Sequence, residues 1–93
     1  MSFDDMKRLV LPITTKYPIS KITLFGSRAV GTNKENSDVD LIIEFYGAIS
    51  LLTLSLIKCE LEDAFGLSVD VIHGPIRDTD LIEIVKVVEL HAA

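Results

Sequence analysis

Asp38 and Asp40 stand one residue apart in "TNKENSDVDLIIEF", where a polar run gives way to an apolar one. On an extended chain residues i and i+2 point to the same side, so the two carboxylates would lie side by side and repel. Such a pair is tolerable in water, and it becomes useful when a hard divalent cation such as Mg²⁺, which favours carboxylate oxygens, sits between them. Asp70 in "LSVDVIHG" has the same setting of apolar neighbours and could supply a third carboxylate from the next strand. Upstream, Gly26 and Ser27 fall where "KITLF" ends and a helical turn begins. Glycine lets a ligand approach the backbone closely, and free amides with a serine hydroxyl suit phosphate oxygens. Each feature also has a plain structural counterpart. The aspartate pair could be a solvated strand start, Asp70 an edge-strand residue, and Ser37 a cap of the turn rather than a donor to the site.

The elements that must position these residues follow from periodicity. Met6, Leu9, Val10 and Ile13 recur at helical spacing behind Ser2 as a cap, with Pro12 leaving the helix end open. After Pro18, residues 21–25 read as a strand, Ser27 to Gly31 as a helical turn or short helix, and "TNKENS" as a solvated turn. "VDLIIEF" is apolar on both faces in its middle, as a central strand covered on both sides would be. Leu54, Ile57, Leu61 and Ala64 predict a helix that Gly66 ends, and Gly74 with Pro75 closes the strand carrying Asp70. In "DLIEIVKVVEL", Glu83, Lys86 and Glu89 recur every third position, which predicts a last helix with Asp80 and Glu83 as its capping box. That helix would be apolar over most of its circumference, as core or as a partner surface. The order predicts a small α/β sandwich, a short mixed sheet of about three strands flanked by helices, forming one domain over residues 1–93.

Composition narrows the function. The chain has 93 residues, 48% of them apolar, and a net charge of -5. An acidic balance argues against long nucleic acid as a partner, although metal ions can screen the phosphates of a small nucleotide. The apolar content hints at a homo- or hetero-oligomer. Cys59 alone allows no internal disulfide, and its helical spacing assigns it to packing. With neither a basic leader nor an apolar run of membrane-spanning length, the expectation is a cytoplasmic protein without membrane attachment.

"GSRAVGTNKENSDVDL" resembles the G-S-x-A-x-G and S-D-x-D-L pattern of the DNA polymerase β-like nucleotidyltransferase superfamily, and "LEDAFGLSVDVIHG" resembles that family's helix, glycine and third-carboxylate strand. The short chain most resembles the minimal nucleotidyltransferases, the MNT-domain antitoxins found beside HEPN-domain ribonuclease toxins. The resemblance implies a nucleotidyltransferase fold with Asp38, Asp40 and Asp70 as catalytic metal ligands for two Mg²⁺ ions. It implies Gly26 and Ser27 as the grip on the triphosphate of ATP; Arg28 and Ser37 are further candidates for contact with the nucleotide. The implied activity is transfer of AMP from ATP to a hydroxyl, a tyrosine, of the HEPN toxin, which the modification silences. Two alternatives remain open: an antitoxin of this fold that neutralises by contact alone, and transfer to a small molecule. The chain departs from the pattern at Val30, where many minimal members carry a basic residue. Arg28 and Lys34 could compensate, and Arg28 could equally be a solvated helix residue. His73 reads as structural rather than as a nucleotide contact, and Tyr46 as an interface aromatic or a core edge.

Overall fold

The computed structural model of the chain describes residues 1–75 and 87–92. Helix α1 spans Phe3–Lys16. Its start is a full capping box: the Ser2 hydroxyl accepts from the Asp5 N–H at 3.1 Å and the Asp5 carboxylate accepts from the Ser2 N–H at 3.2 Å. The helix runs past Pro12 for another turn before Tyr17 closes it. Strand β1 spans Ile19–Phe25, two residues longer than the sequence pattern predicts, and the four-residue helix α2 spans Ser27–Val30. Strand β2 spans Val39–Phe45, and helix α3, capped by Ser50, spans Leu51–Phe65 and ends at Gly66 in the left-handed region, φ 68°. Strands β3 and β4 span Val69–His73 and Val88–Ala92.

The sheet is four-stranded and mixed, in the order β3-β2-β1-β4. Strands β1 and β2 are antiparallel, as are β1 and β4, while β2 and β3 run parallel with α3 as their crossover. Four strands replace the three expected because the predicted last helix is wrong at its end: Val88–Ala92 pairs with β1. The remainder of that prediction, including the Asp80–Glu83 box, lies outside the described residues. Here Val88 is half-buried, Glu89 exposed and Leu90 buried, an alternation of period two. Pairing also covers an edge of β1 that would otherwise leave a row of backbone groups unmatched, and that tertiary gain outweighs the local charge spacing.

Helices α1 and α3 cover one face of the sheet. Met6, Val10 and Ile13 from α1 and Ile57, Leu61 and Phe65 from α3 close over Ile22, Leu24, Val39, Leu41 and Ile43. By the pleat of β2, Asp40, Ile42 and Glu44 point to the opposite face. Ile42 is nonetheless buried, under the turn at Gly74, whose N–H donates to the Ile43 carbonyl at 2.7 Å, so the middle of β2 is covered on both sides as predicted. Among the described residues no helix is long and apolar enough to cross a membrane.

Candidate active site

Asp40 and Asp70 stand side by side at one end of the face opposite the helices, with Asp38 close enough for its charge to act on Asp40. Asp38 lies in the turn just before β2, Asp40 is the second residue of the strand, and the β2–β3 register sets Asp40 directly beside Asp70. Two hydrogen bonds from backbone N–H groups align this end of the strand pair. Val39 N–H donates to the Ser68 carbonyl at 2.9 Å, and Val69 N–H to the Glu62 carboxylate at 3.1 Å. Glu62 has no sequence signal for this role, because its partner lies seven residues on, across the glycine that ends α3.

On the other side of Asp40, the β1–β2 register pairs it with Phe25, which delivers Gly26 against its side chain. Gly26 has φ 75° and ψ -158°, a combination open in practice only to glycine. A Cβ placed on it would lie 2.3 Å from Asp40 Oδ2, well inside van der Waals contact. The glycine of the Gly-Ser step is therefore required twice, by its backbone conformation and by the carboxylate packed against it. Ser27 follows, half-buried, as the first residue of α2.

Charge at this end is unbalanced. Asp40 has its carboxyl pushed above the ordinary carboxylate range, first by partial burial, then by the adjacent Asp70 charge and side chain, and last by Asp38. Neither ion pair among the described residues, Arg8 with Asp5 or Lys16 with Glu60, involves these three. Among the described residues no three acidic, histidine or cysteine side chains converge into a ready-made ion cage. The match to a divalent cation lies in the donor chemistry. The site offers carboxylate oxygens from two adjacent strands and a turn, one of them destabilised in its ionised form by burial and by its neighbours, a cost that a bound cation offsets.

The other predicted contacts are engaged within the protein. Ser37 Oγ accepts from Lys34 N–H at 2.8 Å, the turn-capping arrangement. Arg28 is buried at 6% exposure and donates to the backbone carbonyls of Glu35 and Ser37, so the alternative of a solvated helix residue does not hold. Val30 is exposed. His73 stacks at a tilt on Phe45, 5.2 Å between ring centroids, consistent with its structural reading. Tyr46 is 69% exposed and so is no core edge. Cys59 is on α3 as expected but faces outward, which corrects its assignment to packing.

The geometry, a Gly-Ser turn pressed against one of three neighbouring carboxylates on a mixed sheet, agrees with the comparisons to known proteins. The model of the nucleotidyltransferase domain family matches residues 6–90, and the chain belongs to that family. A Methanocaldococcus jannaschii protein assigned as a protein adenylyltransferase is 39% identical over 92 residues, which cover 94% of this chain and 99% of that one. Among solved structures, a toxin–antitoxin complex with AMP-PNP superposes with a TM-score of 0.74 at 21% identity, over 100% of this chain and 75% of the other. An MNT antitoxin in complex with a tri-AMPylated Shewanella oneidensis HEPN toxin gives 0.69 at 17% identity, over 96% and 71% of the two chains. The fold is that of the MNT antitoxins, and the chain is a nucleotidyltransferase.

Proposed function

We propose that this nucleotidyltransferase is a protein adenylyltransferase and antitoxin, moving AMP from ATP to a tyrosine hydroxyl of a HEPN-domain partner in the cytoplasm. The observation that carries the reading is the contact of Gly26 with Asp40, because it joins the phosphate turn to the carboxylate cluster in one site. The near full-length relative assigned as a protein adenylyltransferase and the AMPylated toxin in a structurally similar complex support the acceptor class.

In this reading Asp38, Asp40 and Asp70 would hold Mg²⁺, two ions being expected, and Gly26 and Ser27 would hold the triphosphate. Bound Mg²⁺ supplies charge neutralisation of the triphosphate and of the departing pyrophosphate. Gly26, lacking a side chain, leaves backbone accessible to phosphate oxygens, and the Ser27 hydroxyl donates to one. The acceptor oxygen forms a bond to the α-phosphorus as the bond from that phosphorus to the bridging oxygen breaks. Pyrophosphate leaves, and the hydroxyl proton passes to Asp70.

Neutralisation by contact alone is the second reading. It is favoured by Leu51, Leu52 and Leu56, which stand 82%, 72% and 49% exposed on α3 in the manner of a surface that a partner covers. One experiment separates the two. ATP labelled at the α or at the γ phosphate is added with Mg²⁺ to native-host lysate containing wild type or the Asp38→Ala, Asp40→Ala double variant. Transfer predicts a protein band labelled from the α position only, and only by wild type. A double variant that protects cells as well as wild type does, with no labelled band, leaves contact as the mechanism.

A further inference from the structure

We propose that Arg28 is a positioning residue, whose buried guanidinium sets the spacing between the phosphate turn at Gly26–Ser27 and the turn that presents Asp38, and which does not itself touch nucleotide. What the two turns bind rests on the reading above; the brace rests on geometry.

Arginine is rarely buried, because its five N–H donors and its charge must all be answered. Here the Nε donates to the Ser37 carbonyl at 3.0 Å, and Nη2 donates to the same carbonyl at 2.8 Å and to the Glu35 carbonyl at 3.1 Å. No buried side-chain polar atom among the described residues lacks a partner. Arg28 belongs to neither ion pair found there, so backbone carbonyl dipoles answer its charge in place of a carboxylate. Nε and Nη2 are committed to the 35–37 carbonyls, and only Nη1 takes no part in these bonds.

The carbonyls it holds are informative. The Ser37 carbonyl and the Asp38 N–H form one rigid peptide plane, so fixing the former orients the backbone of Asp38. At the other end, Arg28 directly follows Ser27 in the four-residue α2. The turn itself is polar, with Thr32, Lys34, Glu35 and Asn36 exposed. Apart from the Arg28 bonds, its hydrogen bonds among the described residues are local: Ser37 N–H to the Lys34 carbonyl at 3.1 Å, Lys34 N–H to Ser37 Oγ, Asn33 to the Lys34 carbonyl, and Thr32 N–H back to the Ser27 carbonyl. The guanidinium is thus the side chain that ties the 35–37 segment to α2. Lysine keeps the charge but lacks the planar fork that reaches two carbonyls at once.

The test uses nucleotide-free wild type, Arg28→Lys, Arg28→Met, Asp38→Ala and the Arg28→Met, Asp38→Ala double variant. Hydrogen exchange reads the turn, Mn²⁺ titration by electron paramagnetic resonance reads the cation site, and thermal melting reads global stability. In Arg28→Met, and to a lesser degree in Arg28→Lys, the Lys34 and Ser37 amides should lose protection while those of β1 and β2 keep theirs. Mn²⁺ affinity should fall about tenfold, the usual scale for losing a group that orients a ligand. In the Asp38→Ala background the same substitution should cost no further affinity. Unchanged turn exchange in both Arg28 variants overturns the proposal. So does a rise in KM for ATP with exchange and Mn²⁺ affinity intact, which would make Arg28 a direct nucleotide contact. If wild type itself binds no Mn²⁺, the metal reading fails, and the exchange data alone decide the brace.

Discussion

Replacing Gly26 with alanine is the sharpest available perturbation of the site. Its φ of 75° with ψ -158° lies in a region that residues with a Cβ occupy at a cost of about 1–3 kcal/mol. The added methyl would also sit 2.3 Å from Asp40 Oδ2, so one group must move by about 1 Å to regain ordinary contact. Asp40 is held on both sides by strand pairing, so its carboxylate yields by rotation, away from Asp70 or towards it. For a domain of this size the strain corresponds to a melting temperature lower by roughly 5–20 °C. A displacement of about 1 Å at a reacting centre costs on the order of 100-fold in rate. Gly31 supplies the control. It too has positive φ, 83°, but nothing lies within 4 Å of a Cβ built there, so Gly31→Ala should show the backbone strain without the loss of transfer. The assay pairs thermal melting with AMP transfer from α-labelled ATP, rates being compared at temperatures where both variants are folded. A Gly26→Ala protein that transfers AMP at the wild-type rate would refute the assignment of Asp40 to the reacting centre.

Two further outcomes follow from the electrostatics. The raised pKa of Asp40 means that the folded chain binds a proton more tightly there than the unfolded chain does, so its contribution to stability is full below the ordinary carboxylate pKa and is lost as pH rises through the folded value. Asp40→Asn should accordingly melt above wild type at neutral pH without metal, with the gap closing as pH falls through that window and on adding Mg²⁺ to wild type; a gap unaffected by pH would mean that burial and like charge are not its cause. Val30 is exposed beside the Gly26–Ser27 turn proposed to hold phosphate, so Val30→Lys should fold normally and lower KM for ATP by roughly fivefold, about 1 kcal/mol for a solvent-exposed charge pair, an effect that 0.5 M salt should erase. An unchanged KM would show that this position does not face the triphosphate.

Much of the site is legible in sequence because its constraints are local. The Gly-Ser step, the Asp pair and the glycine ending α3 each follow from a few neighbouring residues, and β2 is recognisable by its apolar middle. What escapes depends on distant partners. Glu89 completes the every-third spacing begun by Glu83 and Lys86 that predicts a helix, but between half-buried Val88 and buried Leu90 it fits a strand equally, and only the free edge of β1 decides between them. Arg28 looks like a surface residue until carbonyls seven and nine residues away turn to meet it. Cys59, Leu52 and Leu56 sit on a helix whose periodic core positions are filled by Ile57, Leu61 and Phe65, which leaves them outside.

The hydrophobic core also sets the chemistry. Strand β2 sends Val39, Leu41 and Ile43 inward, each fully buried, and Asp40 to the opposite face. Slipping its register by one residue would bury a carboxylate under α1 and α3 and expose a leucine, a cost far above any local preference, so the core alone holds Asp40 on the outer face. The same register aligns Asp40 with Phe25 on one side and Asp70 on the other, and the left-hand neighbour brings Gly26 into contact. Three of the four elements of the proposed site are therefore positioned by strand pairing. Asp38 is the exception, because it precedes β2 and no ladder bond holds it, and it is there that a side-chain brace from α2 to the Ser37 carbonyl is needed.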